Sequence, residues 1–402
     1  MPDSLYVHIP FCIKRCIYCD FVSGVYDAGK AADYIEALRR EIAGIPADTL
    51  FSTLYIGGGT PTVLSTALLS ELINKIFTNF DFTENYEATI EANPGTVDMD
   101  KLKTLRSSGM NRISIGIQSF HDEELAFLGR IHSSRDAEDA VYLAKDSGFE
   151  NIGIDLIYGI PGQDIKSWST ALEKAVSLKP NHISTYELTL EEGTELHKYI
   201  NTPPFIPPLN QGERRGVSKN DVKLPSEDNI IEMYEYTIDQ LTSAGYIHYE
   251  ISNFALPGYL CRHNLNYWNR GQYYGAGLGA HSFINGKRFF NTGNLDDYLK
   301  AASENRSPLK GTEIISEDKA LTEAIFLGLR KTEGINIKIF SERYKKDMFR
   351  QDSPQIKELQ SAGLIEFTGP NTLHGSDRSN SYVRLTRKGM LLSNEVFAKF
   401  VQ

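Results

Sequence analysis

The chain has 402 residues, of which 41% are apolar and 23% charged, with a formal net charge of −10. This is the composition of a globular protein with length for two or three domains and their cores, and it excludes a disordered or fibrous chain. The acidic balance argues against a general nucleic-acid surface.

From residue 5 to about 190, short β-rich runs alternate with amphipathic helical ones. Strands are expected at 5–9, 53–56, 88–91, 112–118, 152–158 and 183–188, from their Ile, Val, Thr and Tyr content. Helices are expected at 33–45, 67–77, 98–107, 136–147 and 167–178. In the second of these, Leu68, Leu69, Leu72, Ile73, Ile76 and Phe77 make one apolar face. A succession of β-α units implies a parallel sheet, which right-handed crossovers bend into a whole or partial barrel; a doubly wound open sheet is the alternative. In either fold, chemistry gathers at the C-terminal ends of the strands.

The first strand runs into the densest stretch of the chain, where Cys12, Cys16 and Cys19 are three of only four cysteines. The spacing C-x3-C-x2-C points to a shared metal rather than core packing. Structural zinc needs a fourth ligand, which Cys261 or a histidine would have to supply, whereas an iron–sulfur cube on three thiolates keeps one iron open. Redox thiols are a further alternative. After the second strand comes Gly57-Gly58-Gly59-Thr60-Pro61-Thr62, whose glycines allow close backbone approach to a small charged ligand. The third strand ends in Glu91-Ala92-Asn93-Pro94, the fourth in Gly116-Ile117-Gln118, and the fifth carries Asp155. A single polar residue of this kind is usually a strand-end hydrogen bond, but their recurrence at one end of successive strands suggests one ligand pocket.

Beyond the barrel, residues 198–226 are irregular, with Pro203, Pro204, Pro207 and Pro208, and read as an exposed loop able to cover the barrel mouth. A helix at 229–245 and a strand-like 246–254 follow. The stretch Cys261-Arg262-His263-Asn264-Leu265-Asn266-Tyr267-Trp268 leads to Gly275-Ala276-Gly277-Leu278-Gly279, which lacks the strand and helix of a dinucleotide loop. A histidine among aromatics either contacts heme or is a satisfied core residue. From about 311, helices at 316–328 and 355–363 and a hairpin pairing 364–367 with 383–385 suggest a winged-helix-like domain, without a basic recognition helix. Three parts are thus expected: 1–195, the barrel; 196–310, the loop, helix and barrel-extending segment; and 311–402, the C-terminal domain.

Assembled, these motifs resemble the coproporphyrinogen-oxidase-like branch of the radical S-adenosylmethionine (SAM) superfamily over nearly the whole chain. The resemblance implies a partial (β/α)6-type barrel with a C-terminal α+β winged-helix-like domain, a 4Fe-4S cluster on Cys12, Cys16 and Cys19, and SAM on its open iron. The SAM-contacting set it implies is Tyr6, Tyr18, Gly58, Gly59, Thr60, Glu91, Gln118, Arg130 and Asp155. Relatives that oxidise coproporphyrinogen III carry a fourth cysteine where this chain has Phe21, and an N-terminal extension ahead of the tyrosine. Here His263-Asn264-Leu265-Asn266-Tyr267-Trp268 instead matches the H-N-x-x-Y-W motif of the branch's heme chaperones. That group implies heme as a further ligand, with His263 as its candidate contact, and apo-haemoproteins, respiratory ones among them, as recipients. No catalytic residue is assigned, and the cluster would serve dimerisation or regulation. A homodimer and peripheral membrane association are compatible with this reading. Oxygen-independent coproporphyrinogen III oxidase is the alternative, with a radical SAM methyltransferase or heme-degrading relative further off. With no apolar run long enough to cross a bilayer, no basic-then-apolar leader at Met1-Pro2-Asp3-Ser4 and no even disulfide pattern, a cytoplasmic location is expected.

Overall fold

The computed structural model describes residues 3–201, 224–350, 353–369 and 381–400. Most of the Pro-rich stretch expected as a loop lies outside the described residues.

The expected alternation forms one sheet. In chain order its first half contains β1 (Ser4–Ile9), β4 (Leu50–Gly58), β5 (Asp81–Ala92), β6 (Arg112–Gln118), β7 (Asn151–Tyr158) and β8 (His182–Glu187), with the short pair β2 (Phe11–Cys12) and β3 (Gly24–Val25) set apart from it. These six strands are parallel and stand side by side in sequence order. Their order never reverses, so the sheet winds one way, as in a partial barrel, and not both ways from a switch point. Helices Ala28–Ala43, Thr66–Asn79, Met99–Ser107, Ser134–Asp146 and Ile165–Ser177 make the crossovers. Each begins on a polar cap, Asp27, Ser65, Asp98, Ser133 and Asp164, whose side chain accepts a first-turn N–H.

Two additions widen the sheet. On the β8 side, residues expected as one strand form a hairpin, β9 (Ile247–Glu250) and β10 (Asn253–Ala255), with β10 antiparallel to β8. On the other side β11 (Tyr273–Ala276) runs parallel to β1, and β12 (His281–Ile284), β13 (Lys287–Asn291) and β14 (Leu309–Ile314) continue antiparallel, giving a 12-stranded sheet.

The strands are apolar on one side only. In β6, Ile113, Ile115 and Ile117 are fully buried beneath the outer helices, while Arg112, Ser114, Gly116 and Gln118 take the alternate, inward positions. Register brings Tyr6 beside Tyr55, Tyr55 beside Thr89 and Thr89 beside Arg112. The next layer sets Glu91, Ser114, Gly153 and His182 side by side. Buried parallel strands usually read as continuous apolar runs; here the barrel interior is polar.

The C-terminal part has its own apolar core around Ile325, Phe340, Ile356, Val383 and Val396. Helix Glu317–Leu329, β15 (Ile335–Asn336), helices Ile337–Tyr344 and Pro354–Ser361, and the hairpin β16 (Ile365–Thr368) and β17 (Tyr382–Leu385) follow the order of a winged helix, with strands in the order β15-β17-β16.

Candidate functional site

A cavity of about 400 Å³ opens at the C-terminal ends of the parallel strands. Cys12, Cys16 and Cys19 line it, together with Tyr18, Gly58, Gly59, Thr60, Glu91, Gln118, Arg130 and Asp155. The structure therefore collects eleven of the thirteen residues singled out from sequence. Tyr6 and His263 stand outside the lining.

The cysteine loop is anchored by backbone. Gly59 N donates to Ile9 O at 2.8 Å and Thr60 N to Phe11 O at 2.7 Å, which lays the glycine loop along the base of the cysteine loop. That contact leaves no room for side chains: a Cβ on Gly59 would lie 2.7 Å from Phe11 O and 3.0 Å from Cys12 Sγ. At Gly58, with φ +113°, it would lie 2.5 Å from the His8 ring. His8 Nε2 donates to Val22 O at 2.7 Å, so Nδ1 is left to accept from Tyr6 Oη at 2.9 Å. Tyr6 thus supports the loop from beneath, its ring stacked on Tyr55.

Burial pushes the Cys12 and Cys19 thiols upward. Arg130 supplies a counter-charge: Nη1 is 3.6 Å from Cys16 Sγ, and Nη2 donates to Asn93 Oδ1 at 2.6 Å and Gly116 O at 2.5 Å. Its Nε is buried without a hydrogen-bond partner among the described residues. Asn93 also donates to Thr60 Oγ1 at 2.7 Å, and Thr60 Oγ1 lies 3.6 Å from Cys12 Sγ. Glu91 accepts from Tyr55 Oη at 2.6 Å and Gly58 N at 3.1 Å; burial and the nearby Asp155 raise its carboxyl to about 7. Burial raises Asp155 as well, against a hydrogen bond from Ser114 at 3.3 Å.

Among the described residues no group of three or more metal-ligating side chains converges on a single ion. Cys261, the possible fourth zinc ligand, lies 3.6 Å from Glu87 and is fully buried. Glu87 is four residues before Glu91 on β5, about 13 Å along a strand, so Cys261 is at the other end of the barrel. Three thiols on one loop, an orphaned guanidinium nitrogen and a glycine wall without side chains fit a cube-type iron–sulfur cluster with a small zwitterion beside it.

His263 lies on the barrel floor, fully buried. Thr53 Oγ1 donates to Ser4 Oγ at 2.8 Å and so accepts from His263 Nδ1 at 2.7 Å; Nε2 then accepts from Tyr267 Oη at 2.9 Å. Both ring nitrogens are engaged, and burial lowers the imidazole to about 3. The helix Arg262–Trp268 plugs the floor with its N-terminus on Glu87, which accepts from Arg262 N and His263 N, each at 3.1 Å. Of that motif, Asn264 reaches the cavity, and Trp268 lies under the Arg330 guanidinium at 4.5 Å. Sequence reasoning missed the lower cavity wall, Arg112, Ser114, His182 and Ser184. The signal was present: polar residues at every second position of β6 and β8.

The Radical SAM superfamily profile matches residues 6–175, and the HemN C-terminal domain profile residues 315–371. The solved structure titled coproporphyrinogen III oxidase (HemN) from Escherichia coli, a radical SAM enzyme, superposes with a TM-score of 0.80 at 26% identity, covering 99% of this chain and 90% of that one. The heme chaperone HemW of Lactococcus lactis subsp. lactis is 38% identical over 100% of this chain and 97% of its own length. HemW of Bacillus subtilis is 36% identical, covering 99% of both chains. HemW of Escherichia coli is 38% identical over 70% of each. Full-length identity at this level, on a radical SAM barrel with a HemN-type C-terminal domain, shows that the chain belongs to the HemW heme-chaperone family of the radical SAM superfamily.

Proposed function

We propose that the protein holds a 4Fe-4S cluster and SAM in the barrel cavity, binds heme, and delivers it to apo-haemoproteins in the cytoplasm, respiratory apoproteins among them. The observation that carries the reading is the cavity in which Cys12, Cys16 and Cys19 face the glycine wall and Arg130, in a chain whose full-length relatives are named heme chaperones. When bound, a cluster with one open iron supplies chelation of the SAM amino and carboxylate groups and one-electron chemistry. The chain's residues do the rest. Arg130 Nε offers a donor to a carboxylate, and Gly58, Gly59 and Thr60 supply backbone to a methionyl group. Glu91 and Asp155 accept from ammonium or ribose hydroxyls, with Tyr6 and His8 holding the loop in place.

The likeness to the oxidase structure favours a second reading, oxidative decarboxylation of coproporphyrinogen III. Phe21, where that branch carries a further cysteine, counts against it. Anaerobically reconstituted protein, given SAM, reductant and coproporphyrinogen III, is expected to form no protoporphyrinogen. Turnover to protoporphyrinogen would overturn the chaperone reading. Homodimer formation and contact with a membrane surface belong to the proposal, and no helix among the described residues is long and apolar enough to cross a membrane.

A further inference from the structure

The cysteine loop leaves large apolar side chains in water: Ile13 is 46% exposed, Phe21 62%, Val22 40% and Val25 69%, and beside it, just past the Gly129 that abuts Ile17 and Cys16, Ile131 is 53% exposed. Ile13, Phe21 and Ile131 line the cavity opening itself. Burying such groups is the ordinary outcome of folding, so an apolar rim around a polar cavity marks a surface that is covered in use.

The charges at this mouth are sorted. Lys14 and Arg15 stand on the cysteine-loop side, among the apolar residues; Arg15 reaches Cys19 O at 3.2 Å, and neither makes an ion pair among the described residues. Asp20 is the acidic group on that loop, while Glu187 at the end of β8 and Glu191 just beyond it also line the cavity. The rim therefore presents an apolar platform with two cations and one carboxylate on the cysteine loop and two carboxylates at and after the end of β8. A ligand that matches is flat, apolar on its faces and anionic along one edge. Heme, with its two propionates, has that form.

We propose, on the reading that the protein carries heme, that the heme lies across this rim. One face of the macrocycle rests on Phe21, Ile13 and Ile131, and its propionates point toward Lys14 and Arg15, away from Glu187 and Glu191. Phe21 then has a positive role at the position where the oxidase branch has a cysteine: it supplies the aromatic platform at the edge of the cavity that holds the cluster. The site is separate from His263, whose nitrogens are spent within the barrel floor.

The test is titration of the full-length, cluster-reconstituted protein with hemin, followed by the Soret band, for the wild type, Phe21→Ser, Ile131→Ser and the double variant Lys14→Glu/Arg15→Glu. Arg15, Phe21 and Ile131 are exposed and Lys14 is half-buried, and Ile131 is outside the cysteine loop, so its variant tests the platform without replacing a cluster ligand. Heme affinity is expected to fall roughly tenfold or more in each variant, with iron and sulfide content and SAM binding unchanged for Ile131→Ser. Wild-type affinity in Ile131→Ser and in the charge-reversal variant would place heme elsewhere and overturn the proposal. If the wild type itself binds no heme, the chaperone reading fails with it. A Phe21→Ser or Ile131→Ser variant that changes only the monomer–dimer equilibrium would assign the rim to a second copy of the chain, and also overturn the proposal.

Discussion

Glu91 and His263 show how differently two buried polar residues behave. The Glu91 carboxyl, raised by burial from 4.5 to about 7, is most compatible with the fold when protonated. Its contribution is fully present below the ordinary carboxyl value and is lost as pH rises through 7, about 3 kcal/mol at most. Melting curves of the cofactor-free protein are expected to fall across that window, and Glu91→Gln to flatten the fall; the same pH slope in both proteins would contradict the assignment. A bound cation needs the ionised form, so SAM affinity should weaken as pH drops below 7. His263 has no such latitude. The sequence left heme contact and core burial both open for it, because one of its two partners, Thr53, comes from β4, far away in sequence, while the other, Tyr267, is on its own helix. His263→Ala removes two buried hydrogen bonds and leaves a void, an expected loss of roughly 2–3 kcal/mol by denaturant titration. Unchanged stability with weakened heme binding would restore it as a ligand.

The elements divide by how local their signals are. The six β-α units were readable because apolar periodicity and helix caps are local in sequence, and their register then fixed which residues share the cavity. The β11–β14 meander was not read, although Ile284-Asn285-Gly286-Lys287 carries the two-residue hairpin signal and both Asn285 and Gly286 have positive φ, 48° and 74°. The glycines around it obscured the strand β11, whose place is set by pairing with β1 across 269 positions of sequence, as in Ser4 with Tyr273. The floor helix Arg262–Trp268 was equally hidden, since only 7 residues long and capped by Glu87 from β5. Glu87→Ala strips three donors of their acceptor inside the barrel. We expect a stability loss of about 2 kcal/mol or more, with the cysteine loop's cluster content retained; loss of the cluster without loss of stability would contradict a floor-supporting role.

At the scale of the molecule, one buried carboxylate joins the barrel extension to the C-terminal part. Glu323 accepts from Arg270 Nε at 2.9 Å and Arg288 Nη2 at 2.8 Å, with its side chain only 6% exposed. Removing it leaves Arg270 without its carboxylate and Arg288 with only Glu313, 3.4 Å away, so Glu323→Ala is expected to cost about 2–3 kcal/mol and to loosen the C-terminal helices; a change below ~1 kcal/mol would show the joint to be ornamental. Composition and motif order made the radical SAM barrel and the C-terminal domain visible, whereas this joint depends on long-range packing that no window of sequence displays. The most direct test of the whole account is heme transfer: load the reconstituted protein with heme, mix it with an apo-haemoprotein, separate the two and read each Soret spectrum. The account predicts heme lost from this protein and gained by the recipient in its native spectrum. A protein that takes up no heme, or retains all of it in the presence of the apo-haemoprotein, would contradict it.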